Sequence, residues 1–519
     1  MSAPPRARVL ARSEHSVSRR NIDPDALKIL YRLHHAGYLA YLVGGGVRDL
    51  LLGRVPKDFD IGTDAPPEAI LDHFRNSRVI GRRFPIVQVM FGRGKVFEVA
   101  TFRALDEAAS EEAEADPELS DQDTLEEEAR LEAEADRLVG LNGEPEEEAG
   151  EESPEDDDED EEEDDEDAGE LAPPAHTLSP PAGPAPAAHR ERAPLAAATD
   201  TAMREPRSRR GYDRGRHLLE FADQRYGSPA EDAWRRDLTI NGLFYDIADF
   251  SVIDYVDGLA DLEAGVIRSI GDADERFRSD PVRMIRALRH GGRTGFRIEP
   301  ATWDAILRHR ERLADCSKAR VLEEFYRDLR GGAALPSLSL MRKAGLLAAI
   351  LPALDEFLPP LPPAVEPPLP WRRLALLDEA MAAGEEYSNG FLLALLLAFP
   401  LLDTLHERET AAGGEGSAHV DFGRLAYRFL KPLTARLGVA RRDTEQLFLI
   451  ALSQRRLARC LDGQPVPGFF RNKPYFGEAY RLFTLDAEAR GLAAPPLAFG
   501  GGRRRSRRRR SRRRRNPAE

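Results

Sequence analysis

The chain predicts an α+β protein: a small mixed-sheet head followed by an elongated all-helical neck and body, with a long disordered acidic insertion and a basic tail. Three observations carry that expectation. Residues 38–103 hold short apolar runs punctuated by glycine and proline, ending in an alternating stretch that suits a hairpin. From about residue 299 onward, apolar side chains recur at helical spacing. Residues 104–211 follow neither period, and their acidic, Ala/Pro-rich composition cannot offset the entropy of ordering them.

At 519 residues the chain is long enough for two or three domains with their own cores. Its net charge of -16 is local, because residues 151–170 contain 16 acids and no base, and the remainder balances to zero. Residues 503–515 hold 11 arginines and two serines. Two cysteines far apart, Cys316 and Cys460, argue against a disulfide framework or a zinc site. The first 20 residues lack the apolar stretch of a signal peptide. The longest apolar run, 391–402, falls short of the roughly 20 residues that span a bilayer and contains Pro400. A soluble, cytoplasmic, monomeric protein that makes no membrane contact is expected.

Residues 1–20 read as a basic disordered leader. Asp23 then caps a helix with Pro24 in its first turn, Leu27, Leu30 and Leu33 on one face, and Gly37 at its end. The next stretch, YLAYLVGGGVRDLLLGRVPKDFDIGTDA (38–65), organises the head. An apolar strand breaks at Gly44, Gly45 and Gly46, a short helix carries Arg48 and Asp49, and a turn delivers Asp58-Phe59-Asp60. On a strand Asp58 and Asp60 share one side, roughly 6.5 Å apart. Such a pair suits Mg²⁺, which prefers carboxylate and phosphate oxygens and can activate an attacking hydroxyl. Glycine lets backbone N–H groups approach a triphosphate closely. A lone D-x-D is more often a capping or solvated pair; a glycine turn and Arg48 at fixed distance upstream change those odds. Residues 68–76 read as another helix, and 79–103 as a hairpin turning at Gly92-Arg93-Gly94. On its second strand Val96, Glu98 and Ala100 share a face, so Glu98 is either a further acid beside the pair or a solvated strand residue.

LVGGGVRDLLLG followed by KDFD resembles the signature of the class II tRNA nucleotidyltransferase and bacterial poly(A) polymerase superfamily. The resemblance implies a nucleotidyltransferase head in which Asp58 and Asp60 hold Mg²⁺ and Gly44, Gly45 and Arg48 hold the triphosphate of ATP. EDAWRRDLTINGLFYD (231–246) is similar to the superfamily's RRD-x-T-x-NA element, with Gly242 in place of alanine. It implies that Arg236 or Arg235 meets phosphate, that Asp237 is a third catalytic acid, at the metal or polarising the nucleophile, and that Asn241 supports it. Family members read the incoming base with an E-D-x-x-R helix; here the equivalent is SDPVR, with Ser279 replacing glutamate and Asp280 and Arg283 retained. Arg283, Arg286 and Arg289 recur every three residues, which lays three guanidiniums along one helix side. The resemblance implies base reading by Asp280 and Arg283 and phosphate contacts from Arg286 and Arg289.

The expected organisation is a leader over 1–20, a head over 21–103 and 212–250, the insertion over 104–211, a neck over 251–300, a helical RNA-binding body over 301–498 and a tail over 499–519. The acidic run is a solubility tether or a polyanion that competes for basic surfaces. GFFRNKPYFGEAYR (468–481) either stacks RNA bases or packs helices through Phe469, Phe470, Tyr475, Phe476 and Tyr480. The arginine tail should attract RNA phosphates with little sequence preference.

GRRFPIVQV (81–89) resembles the G-R-R-F element of bacterial poly(A) polymerases, with Gln88 where histidine is common. The expected activity is therefore template-independent addition of adenylate from ATP to RNA 3′ ends, with RNA and ATP as partners. The alternatives are CCA or A addition to tRNA, and a non-catalytic RNA-binding protein on the same scaffold. The latter predicts lost carboxylates, whereas Asp58, Asp60 and Asp237 are all present. A G-protein, kinase or dinucleotide reading is excluded by the absence of G-K-[ST] and G-x-G-x-x-G at the glycine turn.

Overall fold

The computed structural model describes residues 7–81, 85–105, 226–362, 366–411, 421–461 and 466–492. The acidic insertion beyond residue 105, the arginine tail and most of the GRRF element lie outside the described residues.

A mixed sheet forms the head, followed by helices. Its strands are β1 (Arg8–Leu10), β2 (Ala40–Val43), β3 (Asp60–Thr63), β4 (Ser77–Ile80), β5 (Ile86–Phe91), β6 (Lys95–Thr101), β7 (Leu243–Asp246) and β8 (Val252–Asp254). Their order is β1-β8-β7-β2-β3-β6-β5-β4. All neighbours are antiparallel except β3 and β6, whose parallel register sets Ile61 against Val99.

Three helices, α1 (Pro24–His35), α2 (Gly45–Leu51) and α3 (Pro67–His73), join the head. Asp23 caps α1 by accepting from the Asp25 N–H at 2.8 Å, Pro24 occupies the first turn, and Gly37 beyond it takes a φ of 94°. The buried face is Ala26, Ile29, Leu30 and Leu33, with Leu27 only partly buried, so the stripe is shifted from the one expected. It packs with Leu42, Ile61, Val87, Val99 and Leu243 of the sheet. Each such buried aliphatic side chain contributes about 1.5–3 kcal/mol.

Two expectations about the head are corrected. Residues 8–10, read as disordered leader, form the edge strand β1 against β8, and Val17 and Ile22 enter the core. Backbone pairing with a strand more than 240 residues away decides this, and the arginine-rich composition carries no hint of it. The head also runs past residue 250, because β8 belongs to its sheet.

Beyond the sheet come α4 (Pro229–Arg235), preceding β7, then α5 (Gly258–Ala264), α6 (Ala273–Ser279) and α7 (Val282–Thr294). A two-stranded pair, β9 (Val266–Ile267) with β10 (Arg297–Ile298), brackets α6 and α7. The body continues as α8 (Pro300–His309), α9 (Lys318–Arg330), α10 (Ala334–Ala344), α11 (Leu346–Ile350), α12 (Pro352–Phe357), α13 (Leu369–Ala382), α14 (Asn389–Ala411), α15 (Phe422–Leu437), α16 (Arg441–Leu461), α17 (Gly468–Arg471) and α18 (Phe476–Ala489). One apolar core runs through it from Ile285 and Leu288 of α7 to Leu485 of α18. The apolar run at 391–402 is part of α14, which continues through Pro400 to 23 residues. By length and composition alone that helix could cross a membrane, but 72% of its apolar window is buried in the body, as a core helix requires. Phe470, Tyr475, Phe476 and Tyr480 pack against this core, and Phe469 alone of the five is exposed.

Candidate active site

One cleft of roughly 1980 Å³ gathers the glycine turn, the D-x-D pair and the arginine helix α7. Its head wall begins where β2 ends. Gly44 takes a φ of 71°, its N–H donates to the Leu243 carbonyl at 3.0 Å, and a Cβ there would sit 2.8 Å from Arg236 Nη1. Glycine is needed at this position on both counts. Gly46 likewise leaves the Asp58 carbonyl room to approach.

Asp60 opens β3, and Asp58 lies in the preceding turn instead of on the strand, so strand alternation does not set their spacing. Both are exposed to the cleft. The parallel register of Ile61 with Val99 sets Glu98 beside Asp60, on the cleft side of β6. Asp60 is open to water but walled by the cleft, and the desolvation this imposes pushes its carboxyl up to about 6; Arg236 opposes the shift, while Glu98 and Asp58 add to it. Among the described residues no ion pair neutralises Asp58 or Asp60. A divalent cation fits here, because like-charged carboxylates crowd a site without a paired base, and magnesium is commonly held by one or two carboxylates together with substrate phosphates.

Asp237, expected as a third acid, lines the same cleft as Asp58 and Asp60. It is buried, with Oδ1 accepting from the Leu238 N–H at 2.8 Å and from Asn241 Nδ2 at 3.1 Å, and Oδ2 accepting from Arg286 Nε at 2.7 Å. Burial would raise its pKa, but Arg286 and the hydrogen bonds hold it well below the usual carboxylate range. Among the described residues no three metal-ligating side chains gather as a group. The carboxylate faces the neck helix and fixes Asn241, whose Oδ1 accepts from Arg48 Nη1 at 2.6 Å.

Arg48 is likewise turned inward, only 1% exposed. It pairs with Asp49 at 2.8 Å and approaches His290 Nδ1 at 3.2 Å, and Arg293 closes the far side of Asp49 at 3.0 Å. Its charge is spent beneath the glycine turn and is not free to hold a triphosphate. Arg286 and Arg289, expected at phosphate, line the cleft but are both ion-paired to Glu324 of α9. Glu324, His290 and Arg320 were missed by sequence reasoning, since none has a local motif and each acts on a partner about 40 or more residues away.

Of the two candidate cations at the end of α4, Arg236 lines the cleft, ion-paired to Asp232 at 2.9 Å, and Arg235 does not; Arg235 donates to the Ala104 carbonyl. Asp280 and Arg283 lie at the start of α7, with Arg283 Nε 3.4 Å from Asp280 Oδ2. Ser279, standing for the family's glutamate, only bonds back to the Arg276 carbonyl. Asp280 is oriented by Arg320 of α9, at 3.1 and 3.2 Å, and Arg283 by the carbonyls of Arg235 and Arg236, each at 3.2 Å.

Comparison with known proteins identifies relatives of the chain. Residues 40–135 and 193–268 match the poly A polymerase head domain, leaving most of the acidic insertion between the two matched segments, and residues 295–358 match the probable RNA and SrmB-binding site of polymerase A. The chain is 32% identical to Poly(A) polymerase I of Salmonella typhi over 82% of its own length and 70% of that protein's. It is 27% identical to the CCA-adding enzyme of Lactobacillus johnsonii over 58% of this chain and 48% of the other. Among solved structures it is similar to the Bacillus stearothermophilus CCA-adding enzyme in complex with CTP, with 21% identity, a TM-score of 0.47, and coverage of 92% and 81% of the two chains.

A carboxylate pair in one cleft with the arginine helix α7, in a chain with these relatives, defines a nucleotidyltransferase. Within that class, the chain belongs to the poly(A) polymerase family.

Proposed function

We propose that the protein adds adenylates from ATP to RNA 3′ ends without a template, releasing pyrophosphate. The observation that carries the reading is that Asp58, Asp60, the glycine turn, Arg236, Asp280 and Arg283 line a single cleft. Asp58 and Asp60 would hold Mg²⁺, which when bound acidifies the RNA 3′-hydroxyl and stabilises the charge on the leaving pyrophosphate. The chain's own groups do the rest. The backbone at Gly44 and Gly45 and the Arg236 guanidinium receive the triphosphate. Asp280 and Arg283, a carboxylate and a guanidinium held at fixed distance, offer acceptor and donor to the edge of adenine. Asp237, through Asn241 and Arg286, positions the glycine turn against α7. Glu98 stands beside Asp60 as a further acid. RNA is received by the helical body, and the arginine tail retains the growing end by phosphate attraction.

Poly(A) addition is favoured over CCA addition because the poly(A) polymerase relative matches more of the chain at higher identity than the CCA-adding relative. The test supplies purified protein and Mg²⁺ with a generic RNA or a tRNA lacking CCA, and with ATP or CTP singly. Long A tails on the generic RNA support the proposal. CTP incorporation confined to the tRNA overturns it in favour of CCA addition.

A further inference from the structure

The aromatic stretch 468–481 has no part in the reaction at the cleft, and its rings divide into buried and exposed. Helix α17 is a single turn in which neighbouring residues point in different directions, so burying Phe470 turns Phe469 outward. Phe470 meets Phe476 edge-on at 5.1 Å and Tyr475 at 6.4 Å, and Phe476 in turn lies parallel to Tyr480. Phe469 is left 50% exposed, and beside it a Cβ on Gly468 would meet nothing within 4 Å.

A single exposed apolar side chain needs no explanation by itself. What sets Phe469 apart is its surroundings. Arg456 of α16 lies over its ring at 5.0 Å and over that of Phe470 at 5.2 Å, within the range of a cation–π contact. One face of Phe469 is thus backed by a guanidinium, and the exposed half of the side chain presents the other face to solvent. The charge nearby is of one sign. Between Glu445 and Glu478 the sequence holds Arg455, Arg456, Arg459, Arg471 and Lys473 against one acid, Asp462. Glu409 of α14 offsets Arg455 at 2.7 Å, while Arg471 stands exposed two residues beyond Phe469. An open aromatic face on a basic surface matches both parts of a single-stranded nucleic acid, a base to stack and phosphates to neutralise.

We propose that Phe469, backed by Arg456, is a stacking platform for one base of single-stranded RNA upstream of the reacting 3′ end, with Arg471 and Lys473 drawing the adjoining phosphates. The inference rests on the reading of the protein as an RNA 3′-end adenylating enzyme. In that reading the 3′-hydroxyl must reach Asp58 and Asp60, and Phe469 lies outside the residues that line their cleft, so a base on Phe469 belongs to an earlier nucleotide of the same strand. Every base has a π-face, so a ring in this position holds RNA of any sequence. That tolerance suits a substrate whose upstream sequence changes as its tail lengthens.

The test is binding, so that it stands apart from catalysis. Full-length protein without nucleotide is titrated with two RNA strands of equal length that share their 3′-terminal nucleotides; upstream, one carries bases and the other is abasic. Affinity is read by fluorescence anisotropy. The arginine tail and every other cation meet the same phosphates in both strands, so the ratio of affinities isolates stacking. Wild type should bind the base-carrying strand about tenfold tighter. Phe469→Ala, a surface change that leaves Phe470 in its buried place, should remove most of that preference, and Phe469→Trp should keep it. Phe469→Lys separates stacking from charge: it should lose the preference while holding the abasic strand at least as tightly as wild type. Equal binding of the two strands by wild type, or an unchanged ratio in Phe469→Ala, overturns the platform. A protein that shows the predicted ratios yet incorporates no ATP refutes the adenylating reading and not the platform.

Discussion

Arg286 Nε donates to Asp237 Oδ2 at 2.7 Å, which ties helix α7 to the head immediately beside the cleft. The same guanidinium reaches Glu324 Oε1 at 3.1 Å, so one side chain joins head, neck and body. Removing it leaves two buried carboxylates without their shared cation. Arg286→Met is expected to destabilise the protein by about 3 kcal/mol. In urea unfolding, Asp237→Asn added to Arg286→Met should recover part of that loss, because it removes one of the stranded charges. Strictly additive losses in the double variant would show that the two residues are not coupled.

His290 lies between Arg48 and Asn241, its Nδ1 3.2 Å from Arg48 Nη1 and its Nε2 3.3 Å from Asn241 Nδ2. Burial, then the Arg48 charge, hold its pKa well below 6.5, so it is neutral in the folded state. A histidine whose folded pKa is depressed is protonated more readily when unfolded, and its effect on stability is absent above the unfolded pKa and grows as pH falls below it. Stability should therefore fall below about pH 6.5 by up to about 1.4 kcal/mol per pH unit from this group. Denaturation measured at pH 7.5 and 5.5 should show that loss in wild type and a smaller one in His290→Gln.

Gly44→Ala places a methyl group 2.8 Å from Arg236 and imposes a φ of 71° on a residue with a Cβ. A stability loss of about 1–3 kcal/mol is expected, with a raised KM for ATP as Arg236 is displaced. Gly45→Ala meets only ordinary contact with Arg48, 3.4 Å away, at the start of a helix. Its melting temperature should equal or exceed that of wild type. Equal melting temperatures for the two variants would contradict the reading of Gly44.

Those three sites show what the chain makes legible before it folds. The α+β class, the cap at Asp23, the turn at Gly92–Gly94 and the glycine turn are local chemistry, written in adjacent residues, and the structure contains them. The D-x-D pair, Arg236, Asp280 and Arg283 were found by motif, and they line one cleft. What motif could not convey was which charges were already taken. Arg48, Arg286 and Arg289 resemble phosphate ligands in a sequence, but Asn241, Asp237 and Glu324 claim them, from positions 35 to 193 residues away. Edge strand β1 escaped for the same reason: pairing with β8 is a long-range choice that no run of three residues encodes.

The central claim is that Asp58 and Asp60 carry the chemistry. Both are exposed to the cleft and bear no ion pair among the described residues, so replacing them should cost little stability. The direct measurement is incorporation of labelled ATP into RNA by Asp58→Asn and Asp60→Asn, each checked for an unchanged melting temperature and unchanged RNA binding. The account predicts a loss of about a hundredfold or more in each, with RNA still retained. Wild-type incorporation by either variant would contradict it.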